Sequence, residues 1–346
     1  MIPARAALLF ALLVPTAPLA EHGTLVVLNK SDADVSLIDP SSGTTLARIA
    51  VGRGPHEAAA SPDGKLVVVC NYGRRAPGSS LSVIDVDTRA VVRTIDLGHH
   101  RPHGVQFTPD GKRCVVTAES EKKLLVVDPL AGEVVAAIDT DQGLSHMVAL
   151  DRAGERAFVA NIRSGTVTVI DLEKREPVAV IATGRGAEGI AAHPVRDEVW
   201  VTNRSADTVS VIDTVGLEVR HEMDCGSFPI RIAFTPDGEH ALISCARSGD
   251  LAVLKAKTRE LVRRISMKEQ MLPAKERERR AFGGKRESPM PIGILVEPGG
   301  RRAYVANTNA DAVSVVDLQH WKVVRRIATG HEPDGMAWVV CSERGR

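Results

Sequence analysis

Residues 199–213 read V-W-V-T-N-R-S-A-D-T-V-S-V-I-D, and residues 303–317 read A-Y-V-A-N-T-N-A-D-A-V-S-V-V-D. In both, an apolar run ends on Asn (Asn203, Asn307), a polar turn follows, and a Val-rich run ends on Asp (Asp213, Asp317). Short runs rich in β-branched residues, punctuated by turn residues, are the signature of half-buried strands. Working outward, the unit begins with G-x-x-P-x-G-[IV]-A-x-x-P-D-G and closes on an alternating segment ending I-x-T-G; residues 184–225 and 226–267 are its clearest copies. The residue after the Pro position marks each copy: His56, His103, His146, Glu188, Ile230, Ile292 and Asp334. Their spacing is 42 or 43 residues, except for one gap of 47 and one of 62 that locate insertions.

Each unit holds four strand-like runs. The first two are joined by Pro-Asp-Gly at residues 62–64, 109–111 and 236–238, where Pro presets φ and Gly supplies a positive φ. The third run ends in Asp39, Asp85, Asp128, Asp171, Asp213 and Asp317, with Lys255 the exception. Those Asp side chains are expected to bond their own turns. Four-stranded units of just over 40 residues are propeller blades. The chain ends on a lone first-strand unit, residues 330–341, which completes the N-terminal blade and removes two exposed sheet edges. The expectation is an all-β, seven-bladed propeller of four-stranded antiparallel blades, one domain over 21–346, although 346 residues would ordinarily suggest two.

Composition narrows the function. Lys and Arg number 44 against 43 Asp and Glu, so the chain lacks the basic excess that a nucleic-acid binder needs. Only 3% of residues are aromatic, which leaves few stacking platforms and argues against lectin-like sugar binding. Residues 1–20 carry Arg5, a short apolar run over 6–14 and a small-residue end at 17–20, the pattern of a cleaved secretory signal too short to span a bilayer. The mature protein is therefore expected to be periplasmic or secreted, monomeric and not membrane-spanning. Five widely spaced cysteines (Cys70, Cys114, Cys225, Cys245, Cys341) contain no C-x-x-C, which excludes a zinc ribbon and a c-type haem. An oxidising compartment permits a disulfide, but spacing assigns no pair.

The stretches at 199–213 and 303–317 resemble the YVTN-type β-propeller repeat, and the resemblance covers essentially all of the mature chain. It implies an exported seven-bladed propeller related to the haem d1 nitrite-reductase-type propellers and, more distantly, to lactonase propellers. The P-H-G segments and Ser145-His146-Met147 are not general features of that repeat.

Alternate strands of a blade run in opposite directions, so the marker residues share one tunnel mouth. Read around the ring, Asp334, His56, His103, His146 and Glu188 form an unbroken polar arc closed by Ile230 and Ile292. Three His and a Glu (His56, His103, His146, Glu188) suit zinc, copper or iron, and a non-covalent haem is the cofactor that the resemblance implies. Asp334, Arg163, Arg204, Arg247, Arg231 and Tyr72 are the candidate ligand-binding set, since guanidinium groups pair with carboxylate or phosphate in two-pronged fashion. His99, His100 and His331 occupy similar linkers. Asn29, Asn71, Asn161, Asn203 and Asn307 end the second runs as turn caps, replaced by Ala118 and Cys245. Both insertions, within 71–80 and at about 268–289, fall on this face, and 274–282 reads as a short helix.

No G-x-S-x-G, H-E-x-x-H, Walker or Rossmann pattern is present. The favoured reading is a non-enzymatic binding protein that ligates a metal, tetrapyrrole or small anion at the tunnel mouth, accessory to a redox or cofactor pathway. One alternative is a lactonase-like hydrolase that uses His146 or His103 with Glu188 as acid and base. A third is a scaffold for a periplasmic protein partner.

Overall fold

A computed structural model describes residues 23–278, 280 and 287–340. The expected signal, residues 1–20, and Cys341 lie outside the described residues. Seven four-stranded antiparallel sheets form a ring, the propeller that the repeat predicts. Blade 1 is built from both ends of the chain: Pro333–Val340 innermost, then Gly23–Asn29, Asp34–Ile38 and Thr45–Ala50. The inner strands of blades 2 to 7 are Pro55–Ala60, Pro102–Phe107, Ser145–Leu150, Ala187–Ala192, Pro229–Phe234 and Pro291–Val296.

The core lies between blade faces rather than within one layer. Trp200 and Val211 of blade 5 pack on Ile243 and Leu254 of blade 6, and Val26 and Leu37 of blade 1 on Val67 and Val69 of blade 2. Second strands are almost wholly buried, and third strands are buried mainly through their central residues. Six of the fourth strands are exposed or half-buried along their length but sink one Ile each (Ile49, Ile95, Ile138, Ile181, Ile265, Ile327). Hydroxyls stitch neighbouring blades: Thr117 Oγ1 donates to the His146 carbonyl at 2.6 Å, Ser244 Oγ to Ile292 at 2.7 Å and Thr308 Oγ1 to Pro333 at 2.8 Å.

Turn chemistry follows the repeat. Asp39, Asp128, Asp213 and Asp317 accept backbone N–H groups two residues on. Asn203 Nδ2 donates to Thr208 and Ser210, and Asn71 Nδ2 to Ser80 and Ser82. The shorter insertion is a lengthened hairpin, Leu66–Gly73 paired with Pro77–Asp85. The longer one contains a single helical turn, Ala274–Arg277, shorter than the helix expected over 274–282. Residues 279 and 281–286 lie outside the described residues.

Candidate functional site: a stacked histidine cluster at the tunnel mouth

Each inner strand of blades 2 to 7 slips register against its second strand at the marker. The break falls between Pro55 and Ala58, Pro102 and Val105, Ser145 and Val148, and at the same place in the other three blades. A bulge leaves residues unpaired and re-aims their side chains. That local device brings His56, His103 and His146 together at the tunnel mouth, with successive rings tilted by 44° and 33°. The His56 and His103 ring centroids are 4.5 Å apart, and those of His103 and His146 are 3.6 Å apart. Tyr72 meets His56 edge-on at 4.8 Å and His103 at 5.5 Å.

Carboxylates hold the two outer rings. His56 Nδ1 lies 2.6 Å from Asp334 Oδ2, which also accepts from Lys30 Nζ at 2.9 Å. His146 Nδ1 contacts Glu119 Oε1 at 2.9 Å, and its Nε2 contacts Glu188 Oε1 at 3.3 Å. The Tyr72 hydroxyl donates to Glu119 Oε2. Glu188 is reached as well by Arg204 at 2.5 Å and Arg231 at 3.3 Å. Arg231 then spans the tunnel to Glu57 of blade 2, donating from Nη2 at 2.7 Å and from Nε at 3.0 Å.

His103 differs from its neighbours. It is 1% exposed, and neither ring nitrogen has a hydrogen-bond partner. Burial, then the flanking His146 and His56, hold it well below the ordinary imidazole range, so it is neutral. For His146, burial opposes the charge, but Glu119 and Glu188 outweigh it and raise its pKa. Burial likewise opposes charge on Glu119 and Asp334. His146 and Tyr72 nevertheless bring Glu119 down to about 2, and Lys30 and His56 hold Asp334 well below the carboxylate range. Asp334 Oδ1 is a further buried atom here without a hydrogen-bond partner.

The expected metal set of His56, His103, His146 and Glu188 is thus brought together, as a stack anchored by carboxylates. Among the described residues no group of three or more His, Cys, Asp or Glu side chains has the geometry to hold a metal ion. Of the expected ligand set, Tyr72, Asp334, Arg204 and Arg231 join the cluster, and Arg231 is buried with both faces committed to carboxylates. Arg247 and Arg204 lie over the Phe228 ring, 4.1 and 5.2 Å from its centre, and Arg163 is exposed on the same face. His99 and His100 contact Glu121, and His331 contacts Asp32, all outside the stack.

Sequence reasoning misses Lys30, Glu57 and Phe228. A signal existed for Glu57 and Arg231. Both occupy the repeat position that is Gly104, Gly189, Gly293 and Gly335 in other blades, so two opposite charges stand where the repeat wants no side chain.

A YNCE-like beta-propeller family matches residues 1–128, and the Cytochrome D1 heme domain family matches residues 84–271, more than half of the chain. No curated protein matches. Among solved structures, a chain of Kuenenia stuttgartiensis hydrazine synthase is similar at a TM-score of 0.70 and 18% identity, covering 89% of this chain and 99% of that one. A functionally unknown protein from Desulfotomaculum acetoxidans DSM 771 is similar at a TM-score of 0.74 and 13% identity, covering 92% and 99%. At such identities these two likenesses speak to fold alone. On the extent of the second family match, over blades whose count and closure are those of a propeller, the chain belongs to the Cytochrome D1 heme domain family.

Proposed function

We propose that this propeller is an exported binding protein that takes up a carboxylate-bearing tetrapyrrole or a similar planar anion at the His-lined tunnel mouth, without catalysing its turnover. The observation that carries the reading is His103, a neutral, buried imidazole with both nitrogens unpartnered, set in a cluster whose other groups are engaged. The residues present fit a haem-type group in their donor chemistry. Neutral imidazole is the form that ligates iron, and guanidinium groups suit its carboxylates. In this reading His103, with the more exposed His56 beside it, offers the nitrogen donor. Arg204, Arg247 and Arg163 engage the carboxylates, and the Tyr72 and Phe228 rings supply apolar contact. A bound haem would bring redox chemistry to a rigid face, in keeping with an accessory role in a redox or cofactor pathway.

Titration of the purified, untagged chain with haemin tests the reading. A saturable shift of the Soret band is expected, lost in His103→Ala and weakened at least tenfold in Arg204→Ala/Arg247→Ala. Absence of any spectral change with haemin, and of stoichiometric zinc, copper or iron after reconstitution, would overturn it.

One observation favours a second reading, in which the site performs acid–base chemistry. His146 sits between two carboxylates that raise its pKa and favour its protonated form, the form a general acid needs. A lactone panel assayed with His146→Gln decides this. Turnover that survives the substitution, or no turnover at all, ends the case.

A further inference from the structure

Spacing alone pairs none of the five cysteines, but the fold places four of them two by two in buried seams, Cys70 with Cys114 and Cys225 with Cys245, and only the second pair shares a guanidinium. Cys225 directly follows the outer strand of blade 5, Glu218–Asp224, and Cys245 ends the second strand of blade 6, His240–Cys245. Both are buried as free thiols in the cluster that joins those blades, among Trp200, Val209 and Ile243, and one guanidinium reaches both residues. Neither sulfur sits on a loose segment. The Cys225 N–H donates to the Asp207 carbonyl at 3.0 Å, and Cys245 stands opposite Pro229 on one side and Asp250 on the other. Arg264 brackets the pair: Nη2 donates to the Cys225 carbonyl, and Nη1 lies 3.9 Å from Cys245 Sγ.

We infer that Cys225 and Cys245 are a disulfide-forming pair that fastens blade 5 to blade 6 when the chain folds in an oxidising compartment. Two thiols give up two protons and two electrons as the S–S bond forms. The acceptor is a disulfide-bearing oxidant, which is released as its dithiol after a mixed-disulfide step. The attacking species is a thiolate, and the Arg264 guanidinium favours one at Cys245. Once the cluster has closed, the neighbouring thiol and burial push the Cys245 pKa up and keep its proton on. The bond therefore forms during folding, before the seam is sealed, and afterwards resists reductants that cannot enter it. This inference is independent of what the tunnel mouth binds.

Peptide mapping of the full chain, secreted by a bacterial host and purified without reductant, tests the pair. After denaturation and alkylation, non-reducing digestion is expected to yield a cross-linked peptide containing Cys225 and Cys245. Cys70 and Cys114, buried in the seam of blades 2 and 3, should be recovered alkylated. Denaturing reduction followed by refolding should lower Tm by about 5 °C in the native sequence, and by nothing measurable in Cys225→Ser/Cys245→Ser. Recovery of both residues alkylated from the oxidised protein, or of either one linked to Cys70, Cys114 or Cys341, overturns the inference. Should the double variant fail to fold, the peptide map of the native sequence decides alone.

Discussion

His103 stands apart from its neighbours at the tunnel mouth because its protonation is disfavoured. An ion in that position would face burial, two further imidazoles, Arg231 and Lys30, with no carboxylate of its own. The sign of the linkage follows. Below about pH 6.5 the unfolded chain takes a proton at this residue and the folded chain does not, so stability falls with pH by about 1.4 kcal/mol per unit until the depressed native value is reached. His146 acts oppositely: its raised pKa gives stability that is complete below about 6.5 and lost as pH climbs through the native value. Glu119, held to about 2, contributes above its unfolded value and loses that contribution only in stronger acid. Urea unfolding between pH 6.5 and 5.0 should therefore show a shallower loss for His103→Gln than for the native chain, by about 1.4 kcal/mol per pH unit. His193, lowered by its own burial, contributes to both slopes and cancels in the comparison. Equal slopes would mean that His103 is protonated in the fold. Sequence made the polar arc legible because its members recur at one repeat position. Lys30 escapes it because it is a single departure, visible only once its ion pair to Asp334 is seen.

At the scale of the strand, the residue after the marker decides how closely blades approach. A Cβ on Gly293 would stand 2.1 Å from the Asp334 carbonyl oxygen, and one on Gly189 2.5 Å from that of Ile230. Neither glycine has a positive φ, so the requirement there is space rather than backbone freedom. Overpacking against main chain forces the strands apart, at a cost of about 1–3 kcal/mol. Gly293→Ala is accordingly expected to lower the unfolding free energy by that much, read as a lower urea midpoint at unchanged m, and to loosen the seam that carries Asp334. Gly299→Ala is the control, since its nearest neighbour would be the Arg301 side chain at 3.9 Å. Equal midpoints for the two variants would refute the seam argument. The strands themselves were readable from alternation, Pro-Asp-Gly turns and Asn caps, because each is a local consequence of backbone chemistry. The helix expected over 274–282 was read from polarity and the lack of alternation. Those signals exclude a strand without supplying an apolar face to dock, and the described helix extends only over Ala274–Arg277.

For the whole molecule, closure is the decisive feature, and it depends on a strand more than 300 residues from its partner. Pro333–Val340 pairs antiparallel with Gly23–Asn29, with Gly23 opposite Val340 and Val27 opposite Met336. The same strand delivers Asp334 to His56 and Lys30, so closing the ring and completing the polar arc are one event. Deleting 333–346 would leave blade 1 with three strands, expose an edge along Gly23–Asn29 and remove Asp334 from Lys30 and His56. An open edge templates association with other chains. Light scattering coupled to size exclusion should show the deletion variant as large soluble aggregates. Connectivity is not what closure requires, however, because Gly23 and Val340 already stand side by side. A permuted chain that begins at Pro333, runs through Val340 into a short glycine linker, continues from Gly23 and ends at Glu332 should remain monodisperse, with the Tm of the native chain within a few degrees. If the permuted chain aggregates as the deletion does, the C-terminal strand does more than pair. If the deletion stays monodisperse, the edge was never the hazard that the seventh blade resolves.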